Sequence, residues 1–375
     1  MPWDTSLHQD RFDPLPNEKI MKAVVTAGNG GFEQLQCRMV KHPRLGDNEV
    51  LIRVLAAGIN NTEINTRIGW YSDSVNQSTS ALASSRIQQK KAPADSGWNE
   101  TTPFPFIQGT DCCGEVVQLG QNADSLLLNK RVLVRSCRRP QGFTSMENFW
   151  MGSDSDGAFA EYVTVPQSEV FEVKCDWSSA ELATIPCAYG TAENMIQRAG
   201  IRSGETVLIT GASGGVGSAA TQLVQLRGAK VIAVVSLEKQ KQILEMGATM
   251  TIARDKNMGE VLGEESVDIV IDLVAGDAFA TLLKVLKRGG RYVSAGAIGG
   301  PVVAFDVRVL YLKDLQLIGC TAWDESVFPN LISYLENKKL RPLLAKTFPL
   351  EQIVEAQQEF LLKKHVGNFV LIPTN

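Results

Sequence analysis

Residues 206–217 read TVLITGASGGVG, an apolar strand that runs directly into a glycine-rich turn. The strand Thr206–Thr210 is β-branched and apolar on both faces, as expected of a buried parallel strand. Gly214 and Gly217 have the spacing of the last two glycines of a dinucleotide-binding turn. Gly214 would let backbone N–H groups approach a pyrophosphate, and Gly217 would let the following helix pack close to the strand. The anion would lie at the helix N-terminus, where unpaired N–H groups and the helix dipole favour negative charge.

The residues after the turn predict the rest of a βαβ unit. One apolar stripe at helical spacing is formed by Val216, Ala219, Ala220, Leu223 and Val224. Gly228 ends this helix, and Lys230–Val235 has the pattern of a second buried strand. The whole unit fits within about 30 residues, the usual size of a βαβ motif. This order favours a nucleotide-binding unit over the alternative, a glycine-rich surface loop between unrelated elements.

Composition excludes several classes of function for this chain of 375 residues. The net charge is −4 and no basic patch is present, which argues against nucleic acid as a partner. No apolar run is long enough to cross a bilayer, so we expect no membrane association. Seven cysteines without a repeated spacing indicate reduced thiols in a cytoplasmic protein. Residues 1–20 resemble neither a secretory signal nor a transit peptide, and we expect them to form a loosely ordered arm.

Two patterns of strands divide the chain. Short strands separated by turn residues predict an all-β, barrel-like first half. These strands are Met21–Thr26, Glu49–Ala57, Val116–Leu119, Arg131–Arg135 and Ala158–Val165. From about Ala180 strands alternate with helices, which predicts an α/β unit with a doubly wound parallel sheet. Its strands are Val207–Thr210, Val231–Val235, Met250–Ala253, Ile269–Asp272, Tyr292–Ala295 and Leu315–Gly319, with helices after the first, second and fourth. Residues 341–375 return to short strand patterns and end in Asn368–Ile372.

One connection is unusually long. Ser72–Thr102 is rich in Ser, Asn, Gln and Thr and has no clear strand period. Connections of this length are uncommon within domains, so the segment is expected to be a lid, a binding loop or a disordered insertion. Within it, Ala81–Lys91 is the candidate for a short helix. We expect this insertion to border the substrate entrance.

Eight segments along the chain match, in sequence and in order, segments of a known protein family. They are MKAVV, EVLIRVLAAGIN, GTDCCGEVVQLG, GAFAEYVTVP, IPCAYGTAENM, GASGGVG, GRYVSAGAIGG and GNFVLIP. Together they resemble the medium-chain dehydrogenase/reductase superfamily, particularly its quinone oxidoreductase and enoyl reductase branches. The resemblance implies a GroES-like β-barrel catalytic domain of residues 21–176 and 341–375. A Rossmann domain of residues 177–340 would interrupt it, with the active site in the cleft between the two. It also implies a homodimer formed through the edge of the Rossmann sheet, at Asp306–Gly319.

The resemblance also bears on metal binding. Zinc-dependent members of the family hold catalytic zinc with a Cys, a His and a Cys. At the matching positions this chain has Asn60, Thr110 and Cys187, and only Cys137 lies in the region of the four-cysteine structural zinc site. Because a catalytic zinc needs three protein ligands, we expect no bound metal.

The second strand of the nucleotide-binding unit indicates which nicotinamide cofactor is used. NAD sites usually have an acidic residue at the end of this strand, but here it ends in Ser236. Lys239 and Lys241 follow, and Arg254 ends the third strand at a position that flanks the ribose in the family. This environment favours the 2′-phosphate of NADPH, with Glu238 expected to face solvent. The alternative is that both lysines are ordinary solvated helix charges. The further expected cofactor residues are Thr191, Ala212, Ser213, Gly214, Gly215, Val216, Gly217, Val274 and Ala297.

Without zinc, a side chain must stabilise the oxyanion that forms when hydride reaches a conjugated carbon. Tyr71 is the leading candidate, because GINNTEINTRIGWY resembles the enoyl-thioester reductase segment whose tyrosine hydrogen-bonds the enolate. Asn60 resembles an asparagine of quinone reductase pockets, and Thr62 stands where alcohol dehydrogenases keep a relay hydroxyl. Trp70 and Trp323 are expected to form pocket walls. The alternatives are a structural Tyr71 packed beneath the insertion and an Asn60 that only satisfies a turn.

These observations predict a zinc-independent, NADPH-dependent oxidoreductase that reduces a quinone or an α,β-unsaturated carbonyl compound by hydride transfer. One alternative is a zinc-type alcohol dehydrogenase with unrecognised ligands. A second is an NADPH-binding redox sensor with little catalysis. In each case the expected partner is a small molecule, not nucleic acid or a membrane.

Overall fold

The computed structural model describes residues 11–86, 97, 99 and 101–373 of the chain. The strands of its barrel half are β1 (Ile20–Thr26), β2 (Leu35–Lys41), β3 (Glu49–Ile59), β4 (Phe106–Ile107), β5 (Cys113–Leu119), β6 (Arg131–Val134), β7 (Cys137–Arg138), β8 (Phe149–Trp150), β9 (Tyr162–Pro166) and β10 (Val170–Glu172). The strands that follow are β11 (Thr206–Ile209), β12 (Lys230–Val235), β13 (Met250–Ala253), β14 (Val267–Asp272), β15 (Leu286–Ser294), β16 (Gln316–Gly319), β17 (Leu344–Pro349) and β18 (Asn368–Ile372). The helices are α1 (Asn61–Ile68), α2 (Thr79–Arg86), α3 (Ser179–Leu182), α4 (Pro186–Arg198), α5 (Gly215–Leu226), α6 (Gln240–Glu245), α7 (Met258–Leu262), α8 (Phe279–Val285), α9 (Val307–Leu312), α10 (Val327–Glu336) and α11 (Ile353–Leu361).

The parallel sheet has the strand order β13-β12-β11-β14-β15-β16. This is the order of a doubly wound Rossmann sheet, so the predicted fold class is confirmed. The central strand β11 is apolar on both faces because it is covered on both: Leu208 packs into one hydrophobic cluster and Ile209 into another. Strand order reverses between β11 and β14, and ligands of such sheets bind at the carboxyl ends of strands at this point.

The barrel half is built from both ends of the chain. Its larger sheet has the order β10-β6-β5-β3-β18-β17, and β9 also pairs with β3. The last strand, β18, runs antiparallel to β3 with Phe369 opposite Ile59. The C-terminal segment therefore returns to the barrel as expected from the strand patterns, whereas the domain boundaries at residues 176 and 340 stay predictions.

Several helices of the structure were absent from the sequence prediction, among them α7 and α11. The helix α7 follows the third strand of the parallel sheet, where the side chain of Asn257 accepts a hydrogen bond from Gly259 N at 2.9 Å. The helix α11 lies between the last two strands, although that region was expected to contain strands alone. Its buried face is formed by Ile353, Ala356, Gln357 and Phe360, at the spacing of an amphipathic helix. That period was readable in the sequence.

The strand β9 begins at Tyr162, four residues later than predicted. Ala158 and Phe159 use their backbone N–H groups on the carbonyls of Gly109 and Gln108 instead of a neighbouring strand, at 2.9 Å each. The first part of the expected strand is thus irregular: these N–H groups bond to the segment between β4 and β5, and only an isolated bridge from Ala160 to Ala23 joins it to β1.

The described part of the long insertion is bonded to both halves of the molecule. Its helix α2, described over Thr79–Arg86, overlaps the predicted helix Ala81–Lys91, of which residues 87–91 lie outside the described residues. Thr79 is buried; its hydroxyl donates to Asn65 Oδ1 at 3.0 Å, and its N–H donates to the carbonyl of Ile298 at 3.0 Å. None of the described helices is long and apolar enough to cross a bilayer.

The glycine turn joins β11 to α5 in a geometry that needs its glycines. Gly211 has φ +59°, which L-residues with side chains rarely adopt. A Cβ on Gly217 would collide with the carbonyl oxygen of Gly211 and the Cα of Ala212. Gly217 therefore provides the close contact of helix and strand predicted from the sequence. Gly214, in contrast, faces open space, with no atom closer than 3.6 Å to a Cβ placed there.

We expect Gly217→Ala to lower the free energy of unfolding by about 1–3 kcal/mol, because the added methyl group has no space between helix and strand. Gly319→Ala is the matched control, since nothing lies within 4 Å of its Cβ position and its φ is not positive. Thermal and urea unfolding should be measured without nucleotide, so that folding is separated from binding. Equal stability of the two variants would contradict this account of the turn.

Candidate active site

A cleft of about 480 Å³ separates the barrel half from the Rossmann half. Its lining comes from α1 and the residues after it, from the N-terminal half of α4, from the glycine turn and from the loops after β14 and β15. The lining residues are Asn60, Asn61, Thr62, Asn65, Trp70, Tyr71, Asn99, Asn148, Cys187, Thr191, Gly211, Gly214, Gly215, Val216, Gly217, Leu273, Ala295, Gly296, Ala297, Ile298, Thr321, Phe360 and Asn368. The cleft is thus continuous from the glycine turn to Tyr71.

Most of the residues predicted from the sequence meet in this cleft. They are Asn60, Thr62, Tyr71, Thr191, Gly214, Gly215, Val216, Gly217 and Ala297. Ala212 does not line it, because this residue is fully buried beneath α5. Val274 lies just behind the lining, where its side chain faces Gly211 and its carbonyl accepts a hydrogen bond from Gly299 N.

Trp323 is a core residue, which corrects the expectation that it forms a wall of the pocket. Its side chain is 1% exposed and packs edge-to-face on Trp150, with ring centroids 5.1 Å apart. A Cβ on Gly190 would collide with the indole, so the tryptophan fills the space beside a helical glycine. Trp70 does line the cleft, and its indole N–H donates to the carbonyl of Gln77 at 3.0 Å.

The floor of the cleft is a closed network of hydrogen bonds around two buried carboxyl groups. Asn60 is the N-cap residue of α1, and Glu63 accepts a hydrogen bond from its backbone N–H at 2.7 Å. Glu63 also accepts from the hydroxyl and the N–H of Thr110, at 2.7 and 3.0 Å. Asp111 accepts from Asn60 Nδ2 at 2.7 Å and from Cys187 N at 2.6 Å.

Both amide hydrogens of Asn60 are used within this network. Its Nδ2 donates to Asp111 and also to Thr110 Oγ1, at 3.2 Å. The role of oxyanion donor predicted for Asn60 therefore requires one of these two bonds to break. In this arrangement Asn60 links α1 to the loop before β5.

The electrostatics of the floor follow from burial. Burial raises the pKa of Asp111 to about 7, although hydrogen bonds from Cys187 N and Asn60 oppose the rise and the charge of Glu63 adds to it. Burial also raises the pKa of Glu63. The pKa of the Cys187 thiol is raised well above its usual value, by burial first and then by Asp111 and Glu63. Cys187 is consequently a protonated thiol at neutral pH.

This floor does not fit a catalytic zinc. The positions that hold the metal in zinc-dependent relatives have an amide, a hydroxyl and a protonated thiol, whereas zinc takes thiolate, imidazole or carboxylate ligands. The amide of Asn60 and the hydroxyl of Thr110 are also engaged with the buried carboxyl groups. Among the described residues, no three His, Cys, Asp or Glu side chains form a group that could hold a metal ion.

Tyr71 lies at the far end of the cleft, edge-to-face with Trp70 at a centroid distance of 5.5 Å. Burial raises the pKa of its phenol, and hydrogen bonds with the side chains of Asn65 and Thr62 oppose the rise only in part. The phenol therefore keeps its proton at neutral pH. Thr62, Asn65 and Tyr71 come together because α1 presents the first two on its cleft side and ends just before the tyrosine.

A cluster of cations lies beside the glycine turn, at the end of β12. Lys239 is buried; its ammonium group lies 3.4 Å from Ser213 Oγ and donates to the carbonyl of Lys363 at 2.6 Å. Lys363, from the loop before β18, donates to Asn61 Oδ1 at 2.7 Å. Burial first, and then the charge of Lys239, lowers the pKa of Lys363 to about 7. Burial lowers the pKa of Lys239; the charge of Glu238 opposes this shift and that of Arg254 adds to it.

Two charged residues near this cluster face solvent. Lys241 is 90% exposed and lies 3.9 Å from Glu245 on the same helix. The structure therefore brings Lys239 but not Lys241 to the cleft side of this turn, because successive residues of a helix point in different directions. Glu238 is exposed, as expected.

Two family models match this chain in the order that the structure shows. The model described as alcohol dehydrogenase GroES-like domain matches residues 46–175, in the barrel half, and the one described as zinc-binding dehydrogenase matches residues 215–337, from α5 to the end of α10. Together these ranges cover more than half of the chain. The chain belongs to the medium-chain dehydrogenase/reductase superfamily.

Relatives within this superfamily cover nearly the whole chain. A solved structure from Sinorhizobium meliloti 1021, named "putative alcohol dehydrogenase", has 39% sequence identity and a TM-score of 0.84, and the match covers 96% of this chain and 98% of that one. Acryloyl-coenzyme A reductase of Metallosphaera sedula is 28% identical over 94% of this chain and all of its own length. Human quinone oxidoreductase is 28% identical over 92% of this chain and 95% of its own. This member of the superfamily is thus an oxidoreductase that acts on a small molecule.

The sequence prediction missed the buried carboxyl groups and Lys363. Asp111 directly follows Thr110 and Glu63 lies three residues after Asn60, but neither carboxyl residue stands at a zinc-ligand position of the family. Lys363 comes from KKHVGN, 122 residues beyond Lys241, and only the return of β18 to the barrel places it beside Lys239. A basic residue shortly before the last strand was the available signal.

We expect purified protein to contain far less than one zinc per chain after growth in zinc-supplemented medium, because Asn60 and Thr110 are hydrogen-bond partners of carboxyl groups and not ligands. Elemental analysis by inductively coupled plasma mass spectrometry measures this directly. About one zinc per chain that survives dialysis against a chelator would disprove this assignment of the floor.

Proposed function

We propose that this protein is a zinc-independent, NADPH-dependent reductase of a quinone or an α,β-unsaturated carbonyl compound. The observation that carries the proposal is the closed hydrogen-bond network of Asn60, Thr110 and Cys187 at the cleft floor, beside a continuous cleft from the glycine turn to Tyr71. Without a metal to polarise an alcohol or an isolated carbonyl, hydride transfer needs an acceptor that conjugation has already made electrophilic. The relatives named acryloyl-coenzyme A reductase and quinone oxidoreductase support this class of acceptor.

The cation cluster supports NADPH over NADH. The strand β12 carries no carboxylate at its tip. Its end is surrounded by the hydroxyl of Ser213 and by three basic side chains, Lys239, Arg254 and Lys363. Burial lowers the pKa of both lysines, and a neighbouring cation adds to the shift, Arg254 for Lys239 and Lys239 for Lys363. A 2′-phosphate placed there would offset this burial and repulsion. A nicotinamide cofactor would supply the hydride, and the unpaired N–H groups at the start of α5 would receive its pyrophosphate.

The chain's own residues would orient the acceptor and stabilise the charge that develops on it. The phenol of Tyr71, which burial keeps protonated, would donate a hydrogen bond to the acceptor oxygen and then its proton. Thr62 and Asn65 hold that phenol in place through their own hydrogen bonds. Thr191, one helical turn after Cys187, would contact the nicotinamide region and so select the face that donates hydride.

The rival functions differ in what they predict for turnover. Alcohol dehydrogenase is the activity named for the Sinorhizobium relative. A zinc-type alcohol dehydrogenase would oxidise primary alcohols with the oxidised cofactor and would hold the metal. A redox sensor would bind NADPH tightly and oxidise it slowly with every acceptor. A panel of quinones, enones and enoyl thioesters, followed at the NADPH absorbance with NADH and alcohols in parallel, separates the three.

An apolar surface supports the homodimer expected from the resemblance. The strand β16 is the last strand in the sheet order, and exposed apolar side chains lie on it and near it: Val302, Val307, Tyr311, Leu312 and Leu317. We infer that a second copy of the chain covers this edge. Light scattering should give twice the mass of the chain, and Leu317→Lys should halve it. A monomeric wild-type protein would exclude this interface.

We expect Lys363→Met to weaken the binding of NADPH about tenfold and to leave the binding of NADH nearly unchanged, because only the phosphate contacts the ammonium group. The exposed neighbour provides the control variant, Lys364→Met. Phosphate raises the pKa of Lys363 from about 7, so binding takes up a proton. The preference for NADPH should therefore be greatest below about pH 7 and decline as the pH rises above it. Equal losses for both cofactors would contradict the assignment.

We expect Tyr71→Phe to lower kcat about 100-fold on the best acceptor of the panel, because the variant cannot donate a proton to the oxyanion. The binding of NADPH should not change. Tyr162→Phe, which alters a tyrosine outside the cleft, controls for the loss of a phenol elsewhere. An unchanged rate for Tyr71→Phe would mean that this tyrosine packs beneath the insertion without a chemical role.

A further inference from the structure

Two carboxyl groups lie beneath the cleft floor, and no cation of the described residues balances them. Glu63 and Asp111 are both 0% exposed, and neither pairs with a Lys, Arg or His side chain of the described residues. The titratable groups that face Asp111 are Glu63, Cys187 and Cys112, all of them acids. Buried carboxylates are usually paired with a cation, because the loss of hydration is costly.

Hydrogen bonds satisfy the two groups unequally. Glu63 accepts three, from Asn60 N and from the N–H and hydroxyl of Thr110. Asp111 accepts two, from Asn60 Nδ2 and Cys187 N. Hydrogen bonds to neutral donors spread the charge of an anion but do not cancel it. Above about pH 7, where Asp111 is ionised, the floor of the cleft therefore has a negative potential that the described part of the protein leaves unbalanced.

This potential acts on the part of the cleft away from the glycine turn. Asn60 and Cys187, the two partners of Asp111, both line the cleft, and Thr191 lies one helical turn further along α4. A dinucleotide whose pyrophosphate lies at the start of α5 would extend its nicotinamide toward these residues. The nicotinamide ring is neutral when reduced and carries one positive charge when oxidised.

We propose that Asp111, with Glu63 behind it, is the electrostatic counterpart of the oxidised nicotinamide ring. A bound cofactor would supply the hydride, that is, two electrons and one proton for the acceptor carbon, and its oxidised ring would carry one positive charge. The acceptor oxygen receives its proton from Tyr71 or from water. The buried negative charge stabilises the cation and leaves the neutral reduced ring unaffected, so the bound cofactor becomes a stronger hydride donor. Each tenfold by which the protein binds the oxidised cofactor more tightly than the reduced cofactor lowers the reduction potential of the bound couple by about 30 mV.

This inference depends on the proposed function only for the location of the nicotinamide, and it makes no use of the substrate. The test is the ratio of the dissociation constants of oxidised and reduced cofactor, measured by calorimetry at pH 8 for wild type and Asp111→Asn. We expect this ratio to rise about tenfold in the variant, mainly because the oxidised cofactor binds more weakly. Structural damage would weaken the binding of the oxidised and the reduced cofactor equally and would not change the ratio of their dissociation constants.

Asp111→Asn places two amide groups face to face, so a second variant keeps the test independent of local disruption. The exchange Asn60→Asp with Asp111→Asn restores the hydrogen bond and keeps one carboxylate at the floor. We expect its ratio to lie within about threefold of wild type, since the charge is conserved. A ratio in Asp111→Asn within twofold of wild type, or an exchange variant no closer to wild type than the single variant, would overturn the proposal.

The wild-type protein provides a third measurement that needs no folded variant. A cation above the floor favours the ionised form of Asp111, so the oxidised cofactor should bind more tightly as the pH rises from 6 to 8, and the reduced cofactor should not. Effects of Lys363 on the phosphate are common to both forms and cancel in the ratio. Comparing NAD⁺ with NADH repeats the test without the phosphate, so a failure of the NADPH assignment is distinguishable. A ratio independent of pH would contradict the inference.

Discussion

A buried carboxyl group holds the two halves of this molecule together at the cleft floor. Asp111 comes from the loop before β5 of the barrel, and one of its oxygens accepts a hydrogen bond from Cys187 N in the first turn of α4. Its other oxygen holds the side chain of Asn60, the N-cap of α1. There is no space for a side chain at Gly58, where a Cβ would collide with Asp111 Oδ2. Barrel, α1 and α4 are therefore positioned around a single buried carboxyl group.

This arrangement gives the cleft floor a character different from that of a metal site. In a zinc-dependent relative the metal supplies positive charge, and the two cysteines among its ligands bind it as thiolates. Here the ligand positions have neutral side chains, and the carboxyl groups behind them remain unbalanced. The floor is thus suited to receive a positive charge from the cleft. The opposite end, with Lys239 and Lys363, is suited to receive a negative one.

The last strand, β18, connects these two ends of the cleft. A Cβ on Gly215 would collide with the side chain of Asn368, so the first residue of β18 packs directly on the glycine turn. The loop before β18 carries Lys363 to Lys239, and β18 itself pairs with β3 of the barrel. The phosphate end of the cleft is therefore completed by the C-terminal segment. This explains why residues more than 120 positions apart form one cation cluster.

Local patterns in the sequence determined the parallel sheet, the glycine turn and the class of cofactor. These features depend on the spacing of apolar residues, on the backbone angle φ that glycine allows and on contacts between residues close in sequence. One short stretch such as TVLITGASGGVG contains all three. Tertiary structure alone decided that Trp323 is a core residue, that Lys363 and not Lys241 joins the cation cluster, and that the amide of Asn60 is engaged. Each of these depends on contacts between distant segments. The direction of a side chain and the charge that surrounds it are set only when those segments pack together.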